Sequence, residues 1–246
     1  MSPYCSSPLG EARRSRDKRG VSSKLMKVIE SLQIGDYKII QDDERYRFTS
    51  DSVLLSRFLK AKKGERVADF CAGSGIVGIH FYAENPVTER VTLFEMQSEF
   101  ASMSEESIAL NGLEEIFKVE NVRLQEIPPA YTEAFSLILC NPPYGHCGVP
   151  SPDKQKATCK EEETLTLEEL VCAAARCLKF GGRFALVYRC DKLSDLICTL
   201  RKYNLEPKKL QFVTGKRGKK PYLVLLSAVK GGKAGIEILS EAVNGT

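Results

Sequence analysis

The chain of 246 residues is 43% hydrophobic and 28% charged, has no Trp, and sets 36 Lys and Arg against 32 Asp and Glu. That composition excludes a disordered, collagen-like or disulfide-stapled miniprotein, and the length allows one large domain with a sizeable core. No run approaches the roughly 20 apolar residues of a membrane helix, and the first twenty residues lack the shape of a signal peptide, so a soluble cytoplasmic protein is expected.

Residues 1–24 are rich in Ser, Arg and Gly without periodicity and are expected to form a flexible basic arm. Six basic residues between Glu11 and Lys24 face two acidic ones, a local +4. A second basic stretch runs from Arg201 to Lys233, where ten basic residues meet Glu206 alone, a local +9 that leaves −9 for the remainder. Clustered Lys and Arg attract phosphate backbones, so this segregation bears on partners more than on fold.

From Val67 onward short apolar runs alternate with helical patterns. VADFC is read as a strand, IVGIHFYAE as a helix, RVTLFE as a strand and the stretch from Phe100 to Leu110 as a helix. FKVEN is a short strand, and the continuously apolar FSLILC has the pattern of a strand buried on both faces. TLTLEELVCAAARCLKF reads as a helix, with Thr164 or Thr166 as N-cap and Gly181-Gly182 as its stop. GRFALVYRC, DKLSDLICTLRKYN, KKLQFVT and YLVLLSAV complete the series as strand, helix and a closing strand pair joined by an exposed GKRGKK turn. Alternation of this kind implies a doubly wound, Rossmann-like α/β fold with helices on both faces of a mostly parallel sheet.

The nine cysteines include no C-x-x-C pair, and His80 and His146 are the only histidines, so zinc spacing is absent and no metal is expected. Cys140 and Cys172 fall inside apolar runs, where a thiol packs as a small hydrophobe.

Gly73, Ser74 and Gly75 open the loop GSGIVG between the first strand and its helix, where glycines let backbone approach a ligand and the helix start offers unpaired N–H groups. Glu95 ends the next strand 22 residues after Gly73, in a position to accept hydrogen bonds from both hydroxyls of a ribose. Asp69, four residues before Gly73, stands where dinucleotide loops keep an apolar residue. An acid there favours a ligand with a cationic amino-acid end over a pyrophosphate, which resembles the S-adenosyl-L-methionine loop of class I methyltransferases.

Asn141, Pro142, Pro143 and Tyr144 follow the buried FSLILC strand and so face the same crevice. The two prolines fix the backbone, so that the Asn141 side-chain oxygen and the Pro142 carbonyl can each accept one hydrogen from an exocyclic NH₂ while Tyr144 stacks on the ring. His146 is read as a loop imidazole facing water.

N-P-P-Y with D-x-x-x-G-x-G upstream resembles the signature of amino methyltransferases acting on adenine N6, guanine N2 or glutamine amides. Within that group, the stretch DYKIIQDDERYRFTSDSVLLSRFLKAKKGERVADFCAGSGIVGI is similar to the bacterial tRNA(Val) (adenine-N6)-methyltransferase family, which modifies the adenosine 3′ to the anticodon. The resemblance covers roughly residues 34–230 and includes an F-x-x-D-x-x-L-L element, here Phe48, Asp51, Leu54 and Leu55. It implies a methyltransferase domain over residues 25–246, S-adenosyl-L-methionine as cofactor, tRNA as partner, and a seven-stranded sheet with one antiparallel edge strand. It also implies that Asp51 with Ser52 borders the methionine end of the cofactor. One departure is Asn121, where the family pattern has an Asp contacting the cofactor adenine; Asn can still accept from the adenine amino group. Lys216, Arg217, Lys219 and Lys220 are the candidate RNA-backbone contacts.

Protein glutamine methyltransferases of release factors share N-P-P-Y but carry a helical domain for which about 45 residues ahead of Phe48 leave no room. Ribosomal-RNA guanine-N2 enzymes more often show Phe at the Tyr144 position. A catalytically dead RNA-binding module leaves Asn141 to Tyr144 unexplained.

Overall fold

A computed structural model of the chain describes residues 27–42, 50–143 and 165–244. The basic arm of residues 1–24, together with Phe48, Tyr144, His146 and Thr164, lies outside the described residues.

The described chain opens with an antiparallel hairpin of β1 (Lys27–Ser31) and β2 (Lys38–Asp42), followed by α1 (Ser50–Phe58). Next come β3 (Arg66–Phe70), α2 (Ile76–Glu84), β4 (Arg90–Glu95), α3 (Ser98–Leu110), β5 (Phe117–Asn121) and β6 (Phe135–Cys140). The remainder is α4 (Leu167–Cys177), β7 (Leu178–Arg189), α5 (Leu193–Lys202), β8 (Leu205–Thr214), β9 (Leu223–Lys230) and two short strands, β10 (Glu237–Ile238) and β11 (Ala242–Val243).

The main sheet has the order β8-β9-β7-β6-β3-β4-β5, with β10 and β11 added in parallel along the outer edge of β8. β3 to β7 pair in parallel, while β9 is antiparallel to both β7 and β8. The antiparallel strand therefore lies inside the sheet and not at its edge as expected. The turn after β8 is too short for a crossover, so β9 must run back antiparallel, and it fills the slot that α5 leaves open beside β7.

Each face of the sheet is covered by helices, as a doubly wound fold requires. Leu170, Val171 and Ala174 of α4 and Leu196 and Leu200 of α5 pack on Phe70, Phe94, Phe135 and Phe184. On the other face Leu55 of α1, Ile79 and Phe81 of α2 and Ile108 of α3 pack on Val67, Leu93 and Leu137. Between α1 and α2 the Ser56 hydroxyl meets buried His80 Nδ1 at 2.8 Å.

α4 begins with a capping box: Thr166 Oγ1 accepts from the Glu169 amide, and the Glu169 carboxylate accepts from the Thr166 amide at 2.7 Å. The helix does not run to Gly181-Gly182. It ends at Cys177 and passes directly into β7, and the glycines sit in a bulge where Leu178 pairs with Phe135 and Arg183 with Leu137.

The β1–β2 hairpin, which no pattern in the sequence announces, is held by a polar stripe on α3. The Ile40 amide donates to Ser107 Oγ at 3.0 Å, and Asn111 both accepts from the Lys38 amide at 2.9 Å and donates to the Lys38 carbonyl at 2.7 Å. Because the Ile40–Ser107 bond is buried, Ser107→Ala strands an N–H. The expected loss is about 1–3 kcal/mol of folding stability, read as a lower urea midpoint at unchanged m-value.

Candidate active site

The carboxyl ends of β3, β4, β5 and β6 lie side by side, and each strand end or the loop after it carries candidate residues. After β3 the chain turns sharply into α2, with Cys71, Gly73 and Gly75 at φ values of 58°, 56° and 87°. Gly75 caps α2, and a Cβ there would sit 3.0 Å from Leu93 Cδ1 and 3.2 Å from Ser104 Oγ, so the tight packing against β4 and α3 requires glycine. At Gly73 a Cβ would meet nothing within 4 Å; this is the open side of the loop, where a ligand can approach bare backbone. Ser104 Oγ donates to the Gly73 carbonyl at 2.8 Å and fixes that side from α3.

Two buried carboxylates hold the loop. Glu95, at the end of β4, accepts the Gly73 amide at 2.8 Å on one oxygen and the Gln97 amide at 2.9 Å on the other. Burial raises its carboxyl above the usual range, against the pull of the Gln97, Gly73 and Met96 amides. Each oxygen has a second lone pair, so the geometry that orients Glu95 still leaves acceptor capacity for ribose hydroxyls.

Asp69 departs from expectation. It is fully buried behind the loop, where Oδ2 accepts the Gly78 amide at 2.9 Å and Oδ1 has no hydrogen-bond partner. Burial pushes its carboxyl up to about 8, with the Gly78 amide opposing the rise and the Glu95 charge adding to it. Below that pH Asp69 carries a proton, so it acts on a ligand through the loop it anchors and not as an exposed anion facing a cationic amino-acid end.

Asn121 closes β5 and donates from Nδ2 to the Glu95 carbonyl at 2.8 Å, which orients its amide at the exposed end of the strand. After β6, Asn141 is half-buried, Pro142 buried and Pro143 exposed. Asn141 Nδ2 donates to Ser52 Oγ of α1 at 3.0 Å, which identifies Oδ1 as the acceptor end of the side chain. Asp51, next to Ser52, faces the C-terminal segment: its Oδ1 accepts from Tyr222 Oη at 3.4 Å and from Asn244 Nδ2 at 3.2 Å.

β8 runs parallel to β7, because β9 is antiparallel to both, so the turn after β8 lies on the same edge of the sheet as these loops. That turn carries Lys216, Arg217, Lys219 and Lys220, all exposed. Sequence reasoning missed Ser104, Tyr222 and Asn244. Ser104, Ser107 and Asn111 recur at helical spacing as a polar stripe, a signal that was present; Tyr222 and Asn244 meet Asp51 across 171 and 193 residues, and no local pattern announces them.

The methyltransferase small domain model matches residues 46–196, more than half of the chain. The chain belongs to that family. A tRNA1(Val) (adenine(37)-N6)-methyltransferase from Bacteroides thetaiotaomicron is 23% identical over 195 residues, 79% of this chain and 81% of that protein. Among solved structures, a predicted O-methyltransferase from Agrobacterium tumefaciens covers 78% of this chain and 86% of its own at 21% identity and a TM-score of 0.63. Pyrococcus horikoshii TYW2, solved in complex with MeSAdo, covers 85% of this chain and 73% of its own at 15% identity and a TM-score of 0.59.

The protein is therefore an S-adenosyl-L-methionine-dependent methyltransferase, and the open glycine backbone with a carboxylate beside it fits that cofactor. Among the described residues no group of His, Cys, Asp and Glu could hold a metal ion, and no helix is long and apolar enough to cross a membrane.

The raised Asp69 value gives a stability test. Between pH 4 and 8 the unfolded chain has Asp69 ionised while the native protein keeps the proton, so stability falls as pH rises through that window. Asp69→Asn keeps an acceptor for Gly78 without the titration. The melting temperature of the wild type is expected to fall between pH 5 and 8 relative to that of the variant, as measured by calorimetry in matched buffers.

Proposed function

We propose that this methyltransferase acts on the N6 amino group of an adenine in tRNA, next to the anticodon of tRNA(Val), and so works in the cytoplasm. The hydrogen bond between Asn141 and Ser52 carries the reading, because it commits the amide nitrogen and sets Oδ1 as the acceptor at the end of β6. The N-P-P-Y motif, the basic turn on the same edge and the similarity to an adenine-N6 enzyme of tRNA support it.

Asn141 Oδ1 and the Pro142 carbonyl each take one hydrogen of the exocyclic NH₂, which turns the nitrogen lone pair out of conjugation with the ring. Pro142 and Pro143 hold that geometry rigid, and Tyr144 stacks on the base. The cofactor supplies an electrophilic methyl on a sulfonium. Glu95 takes the cofactor ribose hydroxyls, Asn121 accepts from its adenine amino group, and Gly73, Ser74 and Gly75 offer backbone to its amino-acid end with Asp51 and Ser52 at the border. Since alkylation makes the remaining N–H acidic, positioning and hydrogen bonding suffice and no strong base is needed. An unpaired anticodon loop lets the adenine leave its stack cheaply.

Incubation with labelled S-adenosylmethionine and bulk tRNA, ribosomal RNA or release factor, followed by digestion, is expected to yield N6-methyladenosine from tRNA; label in glutamine or N2-methylguanosine instead would overturn the assignment. Asn141→Ala is expected to lower kcat at least about 100-fold, as loss of one transition-state hydrogen bond does. Its cofactor affinity, measured by calorimetric titration, should stay near that of the wild type. Lys216, Arg217, Lys219 and Lys220 grip the RNA backbone. Replacing Lys216 and Arg217 together by Ala should flatten the log–log salt dependence of tRNA binding by roughly 0.7 for each phosphate no longer neutralised.

A further inference from the structure

Tyr222 is 43% exposed. Among the described residues Phe180 is the other exposed aromatic, and it lies near the amino end of β7, away from the active-site edge. Tyr222 is also rigidly held. Its amide donates to the Val213 carbonyl at 3.1 Å, its carbonyl accepts from the Cys190 amide at 3.1 Å, and its hydroxyl is tied to Asp51 and Asn244. The chemistry is close by, since Asp51 precedes Ser52 and Ser52 holds Asn141.

Asn244, which bonds the Tyr222 hydroxyl, lines a groove of about 640 Å³ between the β8–β9 turn and the C-terminal segment, with Lys216 and Arg217 on its wall. Asn244 Oδ1 is a buried acceptor without a partner. Glu241 also lines it, and its carboxylate accepts the Gly218 amide at 3.2 Å, so the acid helps to shape the turn that presents the cations.

A fixed, half-exposed ring joined through Asn244 to a groove that carries cations is an arrangement suited to single-stranded nucleic acid: the ring stacks a base of any identity and the cations take phosphate. We propose that Tyr222 and the adjoining groove form a subsite for the nucleotide next to the target adenine, with its base stacked on Tyr222 and its phosphate on Lys216 and Arg217. The inference rests on the RNA-methylating reading and deepens it. With the target in the Asn141 loop and its neighbour on Tyr222, the RNA loop is held splayed from both sides.

The test uses RNA hairpins with an unpaired adenosine in the loop, each also made with an abasic nucleotide on the 5′ or the 3′ side of the target. Wild type, Tyr222→Phe and Tyr222→Ala are assayed by steady-state methylation. Tyr222→Ala is expected to raise KM for the intact hairpin about tenfold with kcat little changed, and Tyr222→Phe to raise it several-fold less than Tyr222→Ala does, because stacking needs the ring and not the hydroxyl. One abasic position should cost the wild type a similar factor and cost Tyr222→Ala nothing further.

Equal losses in the Phe and Ala variants would reduce Tyr222 to a tether for Asp51 and overturn the subsite. So would a wild-type enzyme indifferent to both abasic positions, a result that does not depend on any variant folding. If the wild type methylates adenosine in the hairpin and either of these outcomes appears, the subsite alone falls. If it methylates glutamine in release factor and no RNA, both readings fall together.

Discussion

Two buried carboxylates pin the loop on which the rest of the active site is built. Asp69 takes the amide of Gly78 and Glu95 takes the amide of Gly73, so the segment between them is bracketed at both ends from adjacent strands. The first turn of α2 has backbone donors with no partner inside the helix, and Asp69 satisfies one of them from within the core. Burial raises both carboxyls, Asp69 to about 8 with the Glu95 charge adding to the rise. Asp69 thereby becomes a neutral anchor over much of the physiological range, while Glu95 is held at the end of β4 by the Gly73 and Gln97 amides.

Sheet topology then recruits elements distant in sequence to that loop. In a parallel sheet the strands all end at one edge, and the residue after each strand end enters a shared crevice. α3 contributes on two fronts: Ser104 fixes the Gly73 carbonyl, while Ser107 and Asn111 receive the hairpin ahead of α1. α1 in turn brings Ser52 to Asn141 and Asp51 to the C-terminal segment. One polar stripe on one helix thus fixes both the glycine loop and the β1–β2 hairpin.

Where neighbouring residues decide the structure, the sequence was readable. IVGIHFYAE, RVTLFE, FKVEN and FSLILC coincide with α2, β4, β5 and β6 at both ends, because each is a periodic apolar run bounded by polar or turn residues. The hairpin β1–β2 was not legible: it alternates weakly, and its stability comes from Ser107 and Asn111 some 70 residues away. The run of α4 past Cys177 failed for the same kind of reason, since Leu178 is drawn into pairing with Phe135 and the two glycines serve a bulge that only the neighbouring strand requires. At the candidate site, motif position singled out Glu95 and Asn141 at the carboxyl ends of β4 and β6. It did not announce their partners or the burial of Asp69, which the same motif disguised as an exposed acid.

The strand order also explains the charge segregation along the chain. The carboxylates and the glycine loop belong to β3 and β4, whereas the cations of residues 216–220 belong to the β8–β9 turn, and β6 with Asn141 lies between. Five strand spacings separate β4 from β8, roughly 24 Å at about 4.8 Å per strand. That exceeds the Debye length of about 8 Å at physiological ionic strength, so the acidic and basic halves scarcely neutralise each other through solvent. The cofactor carries a sulfonium and an ammonium group, and the proposed substrate is a polyanion. On the proposed reading, each is served by its own end of a single edge, with the Asn141 loop between them. The order in which the strands pair thus keeps the Glu95 carboxylate and the basic turn at separate ends of that edge.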